Sequence, residues 1–210
     1  WPFGVASNLF IPICYAMEDK GPIMTDTPEI IDDLRFDLPL SVTGNGWVLI
    51  SDRVMGGVTD GTMTREIVAG RDAIRMQGGV SLENNGGFLQ VALDLGDAGA
   101  EVDARRWKGI QIDVFGNNQI YNLHLRTSDI SRPWESYRQS FHAPARWTTV
   151  LLPFGDFAPH RTDQPMNIAR LRRIGIVAIG REFEADISIA DIRFYAAAED
   201  DGSAPAVSPS

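Results

Sequence analysis

The chain has 210 residues, 44% hydrophobic and 22% charged, which is enough for one domain with its own core and no need of disulfides or a structural metal. Nineteen Lys and Arg stand against 28 Asp and Glu, a net charge of -9, which opposes general binding to nucleic acid or to an anionic lipid surface. The single cysteine, Cys14, excludes an internal disulfide, and no Cys/His cluster has the spacing of a zinc site.

In chain order, residues 1–33 read as a weakly ordered extension with Met24 as a natural start. Phe3 to Ala16 is mildly apolar, but no basic residue precedes it and Asn8 and Pro12 interrupt it, which is not a secretory pattern. Glu18, Asp19 and the lack of Arg run against a transit peptide, so the expected compartment is the cytoplasm, or the mitochondrion if the source is eukaryotic. No run of 18 apolar residues predicts a membrane helix. Residues 34–197 alternate in short runs broken by Gly, Asn, Asp and Pro, the texture of an all-β sandwich or barrel. The period predicts strands at Trp47–Ile50, Gly61–Val68, Ala73–Gly78, Phe88–Leu95, Gly109–Phe115, Tyr121–Thr127, Ser136–His142, Thr148–Leu152, Ile174–Ile179 and Ala185–Tyr195. Asn167–Arg172 reads as one helical turn capped by Asn167, and residues 198–210 as a disordered acidic, Pro/Ser-rich tail.

Alternation also sorts faces. Tyr121, Leu123 and Leu125 oppose Asn122, His124 and Arg126; Tyr137 and Phe141 oppose Arg138, Ser140 and His142; Ile110, Ile112 and Val114 oppose Gln111 and Asp113. The three neighbouring segments read as one sheet of the sandwich, so Asp113, Asn122, His124, Arg126, Arg138 and His142 gather on one polar face, either a solvated sheet surface or a binding face. A metal at His124 and His142 would need Asp113 as its third ligand, and neither metal nor other cofactor is expected. Trp107 and Trp147 read as core anchors and Trp134 as exposed, while Arg170, Arg172 and Arg173 read as a small solvated basic patch.

The run Trp47 to Thr59 carries an abrupt turn, in which Asp52-Arg53 ends a strand and Val54-Met55-Gly56-Gly57 follows. Glycines there serve positive φ or close approach, and Asp52 could accept main-chain N–H bonds across the turn or pair with Arg53. Such a loop either folds against the sandwich or presents Val54 and Met55 for recognition. Neither GxGxxG nor GxxxxGK[ST] is present, so the glycines are not a phosphate cradle. No GxSxG or HExxH appears either, and no catalytic residue is assigned.

This Trp47–Thr59 run, followed by Gly79-Val80-Ser81-Leu82-Glu83-Asn84-Asn85-Gly86-Gly87-Phe88, resembles the complex I intermediate-associated protein 30 family. Further marks are Gly109-Ile110, Tyr121, Arg126-Thr127, Tyr137, Phe141, Trp147, Leu152-Pro153-Phe154 and the closing strand to Ile192. Departures are Thr59 in place of Ser and Arg161-Thr162-Asp163 in place of Arg-Gly. The resemblance spans Phe36 to Tyr195 and implies a galactose-binding-like jelly roll with a non-catalytic assembly-factor or chaperone-like role. Its implied partner is a protein client such as a respiratory-complex assembly intermediate, without membrane insertion. A carbohydrate-binding module of the same fold is the alternative.

Overall fold

The computed structural model describes residues 29–196. Twelve strands form: β1 (Ile30–Asp32), β2 (Val48–Ser51), β3 (Asp60–Val68), β4 (Arg71–Val80), β5 (Phe88–Asp94), β6 (Gly109–Phe115), β7 (Gln119–Thr127), β8 (Ser136–Ala143), β9 (Thr148–Pro153), β10 (Ala158–His160), β11 (Leu171–Ile179) and β12 (Phe183–Tyr195). They build two antiparallel six-stranded sheets. The first runs β3-β4-β12-β6-β9 with β1 also on β12, and the second runs β10-β8-β7-β11-β5-β2. The all-β sandwich expected from the alternation is what forms.

Burial follows the period of two. Ile110, Ile112, Val114, Ile187 and Ile189 of the first sheet and Leu89, Val91, Leu93, Tyr121, Leu123, Leu125, Ile174 and Ile176 of the second are buried in one shared core. At roughly 25 cal/mol per Å² of apolar surface, each large side chain fully enclosed there contributes about 1.5–3 kcal/mol. Tyr121 carries its hydroxyl into this layer and satisfies it by accepting from the Asp186 N–H at 2.9 Å and donating to Asn117 Oδ1 at 2.8 Å. Bulges reset the alternation in β12 between Ile189 and Asp191, in β11 between Leu171 and Arg173, and in β1 between Ile30 and Asp32.

Three expectations change. The weakly ordered extension expected over residues 1–33 does not hold for its last part, where Ile30–Asp32 pairs with β12, Ile31 lies in the core, and Asp32 accepts the Trp47 indole N–H at 2.6 Å. Gly109–Phe115 does not share a sheet with the next two strands, because Gly116-Asn117-Asn118 crosses between sheets instead of closing a hairpin. Trp147 lies over the first sheet rather than in the core, donating to the Val68 carbonyl at 3.0 Å with Arg71 stacked on its ring at 4.6 Å. The helical turn is a single 3-10 turn, Ile168–Arg170, with Asn167 capping through the Ala169 N–H. The expectations for residues 1–28 and for the acidic tail lie outside the described residues.

Candidate functional site

The abrupt turn is organised by one carboxylate. Asp52 is fully buried and accepts from the Thr59 N–H at 2.9 Å, the Thr59 hydroxyl at 2.5 Å, and the main-chain N–H groups of Gly87 at 2.5 Å and Phe88 at 3.4 Å. Burial pushes its carboxyl up, but those four donors outweigh the cost and hold it below the usual carboxylate range. The 52–59 segment crosses from the second sheet to the first and the 81–87 segment crosses back, so Asp52 pins both crossings at one end of the sandwich. Gly56 caps the turn at φ 90, a left-handed conformation that glycine adopts without strain. Gly57 and Gly86 have a different reason to lack a side chain, since a Cβ at either would collide with the Asp52 carboxylate. Asp52 thus serves the turn, and Arg53 reaches Asp60 across 3.6 Å instead.

The outer half of the same turn faces water. Val54 is 74% and Met55 58% exposed, and Val58 on the same crossing and Leu82 on the other are exposed too. Large apolar side chains are thus held in solvent beside a buried, hydrogen-bonded anchor.

On the outer face of the second sheet, β7 and β8 set Asn122 opposite Ser140, His124 opposite Arg138 and Ile120 opposite His142. The Ser140 hydroxyl donates to Asn122 Oδ1 at 2.8 Å. Next across, β11 places Arg173 beside Arg126, and β5 places Asp94 beside Arg173. Asn122, His124, Arg126, Arg138 and His142 therefore do share a face. Asp113 does not: it lies on the opposite sheet, where Thr149 donates to it at 2.5 Å and Arg71 at 2.7 Å. Its burial raises the carboxyl and these two partners lower it further, to a net value below the usual range. The trio His124, His142 and Asp113 is accordingly not assembled, and among the described residues no group of three His, Cys, Asp or Glu is placed to hold a metal.

The neighbour that sequence reasoning missed is His160, brought by β10 to 6.1 Å ring-to-ring from His124. Burial, then the charges on His160 and Arg138, drive the His124 imidazole down to about 3, so it is neutral at physiological pH. Its Nδ1 lies 3.4 Å from the Ser136 hydroxyl. Arg170 is also not part of an open basic patch, since Glu101 at 2.9 Å and Asp129 at 2.5 Å neutralise it. Arg126, 172 and 173 instead line one cleft, a grouping signalled in the sequence only by two consecutive arginines ahead of Ile174.

This two-sheet arrangement with crossings at each end defines a galactose-binding-like jelly-roll sandwich. The family 11 carbohydrate-binding module of a cellulosomal cellulase, Lic26A-Cel5E of Clostridium thermocellum, matches it with a TM-score of 0.63 at 13% identity over 82% of this chain and 97% of that one. The family 11 module from the same organism in complex with a β-1,3-1,4-mixed-linked tetrasaccharide matches with a TM-score of 0.62 at 13% identity, over 80% and 95%. A family 30 module of the cellulase Cel9D-Cel44B, also of Clostridium thermocellum, gives 0.51 at 13% over 66% and 83%. These identities speak for the fold alone. No curated protein matches in sequence. The family model of complex I intermediate-associated protein 30 matches residues 36–189, and the chain belongs to that family. The segment matched includes the Asp52 turn and the strands of the polar face.

Proposed function

We propose that the chain is a non-catalytic binding module of the assembly-factor type, acting in the cytoplasm on a protein client such as an intermediate of a respiratory complex. The observation that carries this reading is the motif turn, in which a buried carboxylate fixes the backbone while Val54 and Met55 stand in water. Family membership supports it, because the family is defined by association with complex I intermediates. His124 is half-buried and, with its imidazole held down to about 3 by desolvation, a poor proton acceptor at neutral pH, which agrees with a binding rather than a chemical role. None of the described helices is long and apolar enough to cross a membrane.

A photo-crosslinking side chain at Val54 should capture client protein that the same side chain at Ile67, exposed at 69% on the first sheet, does not. Identical products from the two positions would refute the turn as the contact. A second reading, a carbohydrate-binding module, is favoured by the fold likeness to a module solved with a tetrasaccharide. Sugar sites usually stack a ring on an aromatic side chain, whereas the middle of the polar face offers Asn122, Ser140, His124 and Arg138. Retardation of the protein in a gel containing mixed-linked β-glucan would favour the carbohydrate module, and unretarded migration the protein-binding one.

A further inference from the structure

We propose that the cleft between Arg126 on β7 and Arg172 and Arg173 on β11 is a binding site for an oxyanion, a phosphate or carboxylate group. The cleft measures about 310 Å³ and is lined by Arg126, Thr127, Ser131, Pro133, Arg172 and Arg173. A bulge builds it. Leu171 pairs with Thr127 but Arg173 pairs with Arg126, which makes Arg172 the extra residue. Leu171 and Ile174 are both buried in the core, so the two arginines between them are left toward the outside, and re-aiming side chains is what a bulge does.

The three guanidinium groups differ in how they are satisfied. Arg173 is held by Asp94 through Nε at 2.6 Å and Nη2 at 2.9 Å, which fixes its plane and uses that carboxylate. Arg126 is half-buried, donates to the Arg132 carbonyl at 2.9 Å and makes no ion pair among the described residues. Arg172 makes none either. Glu135, the other acid that acts on Arg126, is engaged by the Arg132 N–H at 3.0 Å. A half-buried cation beside two others is costly in a chain of net charge -9 that has carboxylates to spare. Burial, then Arg173 and Arg172, push the Arg126 guanidinium below its ordinary value. Planar arginine forks that converge on one concavity match the geometry of an oxyanion, which would neutralise all of them together. A neutral sugar would not.

The test is calorimetric titration of the full chain with inorganic phosphate and, separately, with acetate, at ionic strength held constant by chloride. A saturable heat is expected for at least one, the preference between them telling a phosphorylated source from a carboxylate one. Arg126→Gln and Arg172→Gln should each weaken binding roughly tenfold, since each removes a charge-assisted hydrogen bond, while Arg181→Gln, outside the cleft, should leave it unchanged. Without added anion, Arg126→Gln should melt no lower than the wild type. No saturable heat with either anion, unchanged affinity in both cleft variants, or a clear loss of stability in anion-free Arg126→Gln would overturn the proposal. The last result would assign Arg126 to holding the Arg132 carbonyl. The site does not depend on the client reading, because the Val54 crosslink and the phosphate heat report on different residues.

Discussion

At the scale of single residues, two buried aspartates fasten loops to the sandwich. Asp32 takes the Trp47 indole and the Leu34 N–H, at 2.6 Å and 3.1 Å, and Asp52 takes Thr59, Gly87 and Phe88. Asp52→Asn replaces an acceptor by an NH₂ group facing donors and should cost about 3 kcal/mol in chemical denaturation at pH 7. Because Asp52 lies below the usual carboxylate range in the folded chain, its contribution is complete above its unfolded value near ~4 and is lost as pH falls through the folded value. The variant should therefore lose part of the acid-induced fall in stability. Gly56→Ala should cost about 1 kcal/mol for its φ of 90, and Gly57→Ala more, because its methyl group meets the Asp52 carboxylate. His124 has the opposite charge type with the same sign of slope. Depressed to about 3, it stays neutral while the unfolded chain takes up a proton near ~6.5, so stability falls from there down to the folded value. Urea midpoints of His124→Gln across pH 7 to 4 should decline less steeply than those of the wild type.

At the scale of elements, the β3–β4 hairpin closes through Ala69 and Gly70, with φ of 46 and 82, the pair of left-handed residues that a two-residue turn of this twist requires. Asn tolerates that region better than Ala, so Ala69→Asn should gain up to about 1 kcal/mol, read as a higher melting temperature. Strands such as β7 were legible because alternate residues enter the core, as Tyr121, Leu123 and Leu125 do, while β11, buried on both faces from Ile174 to Ala178, showed as an apolar run. β1 and β10 were not, since three residues hold too few alternations to separate from a loop. The start of β11 was hidden by its bulge, which sets Arg172 beside Arg173 and breaks the period. Asp113 lies on the sheet opposite to the one alternation suggests, because a period of two tells which residues of a strand share a face, not which strands share a sheet. The Asp52 knot was half legible: the sequence showed an acid before paired glycines, while Thr59 and Gly87 as its partners depend on two crossings meeting in space.

At the scale of the whole molecule, the two outer faces differ in how their charges are closed. On the first sheet Arg75 reaches Asp186 at 2.6 Å and Glu66 at 3.4 Å, Arg71 reaches Asp113 at 2.7 Å, and Arg193 reaches Asp191 at 2.6 Å and Glu29 at 3.3 Å. These are cross-strand and same-strand pairs that stiffen a surface and leave little charge for a ligand. On the second sheet Arg138 and Arg126 make no such pair among the described residues, so that face carries open positive charge. The difference predicts different responses to removal of one arginine from each face. Arg75 and Asp186 are only about two-thirds buried, at 28% and 33% side-chain exposure, so solvent screening limits Arg75→Gln to a loss of about 1 kcal/mol despite its paired geometry. Arg138→Gln should change stability by less than about 0.5 kcal/mol. Repeating both denaturation series in 1 M salt should shrink the Arg75 penalty, because screening weakens the pair, and leave Arg138→Gln where it was. Equal penalties for the two variants would mean that Arg138 is paired in solution and that the second face is closed like the first.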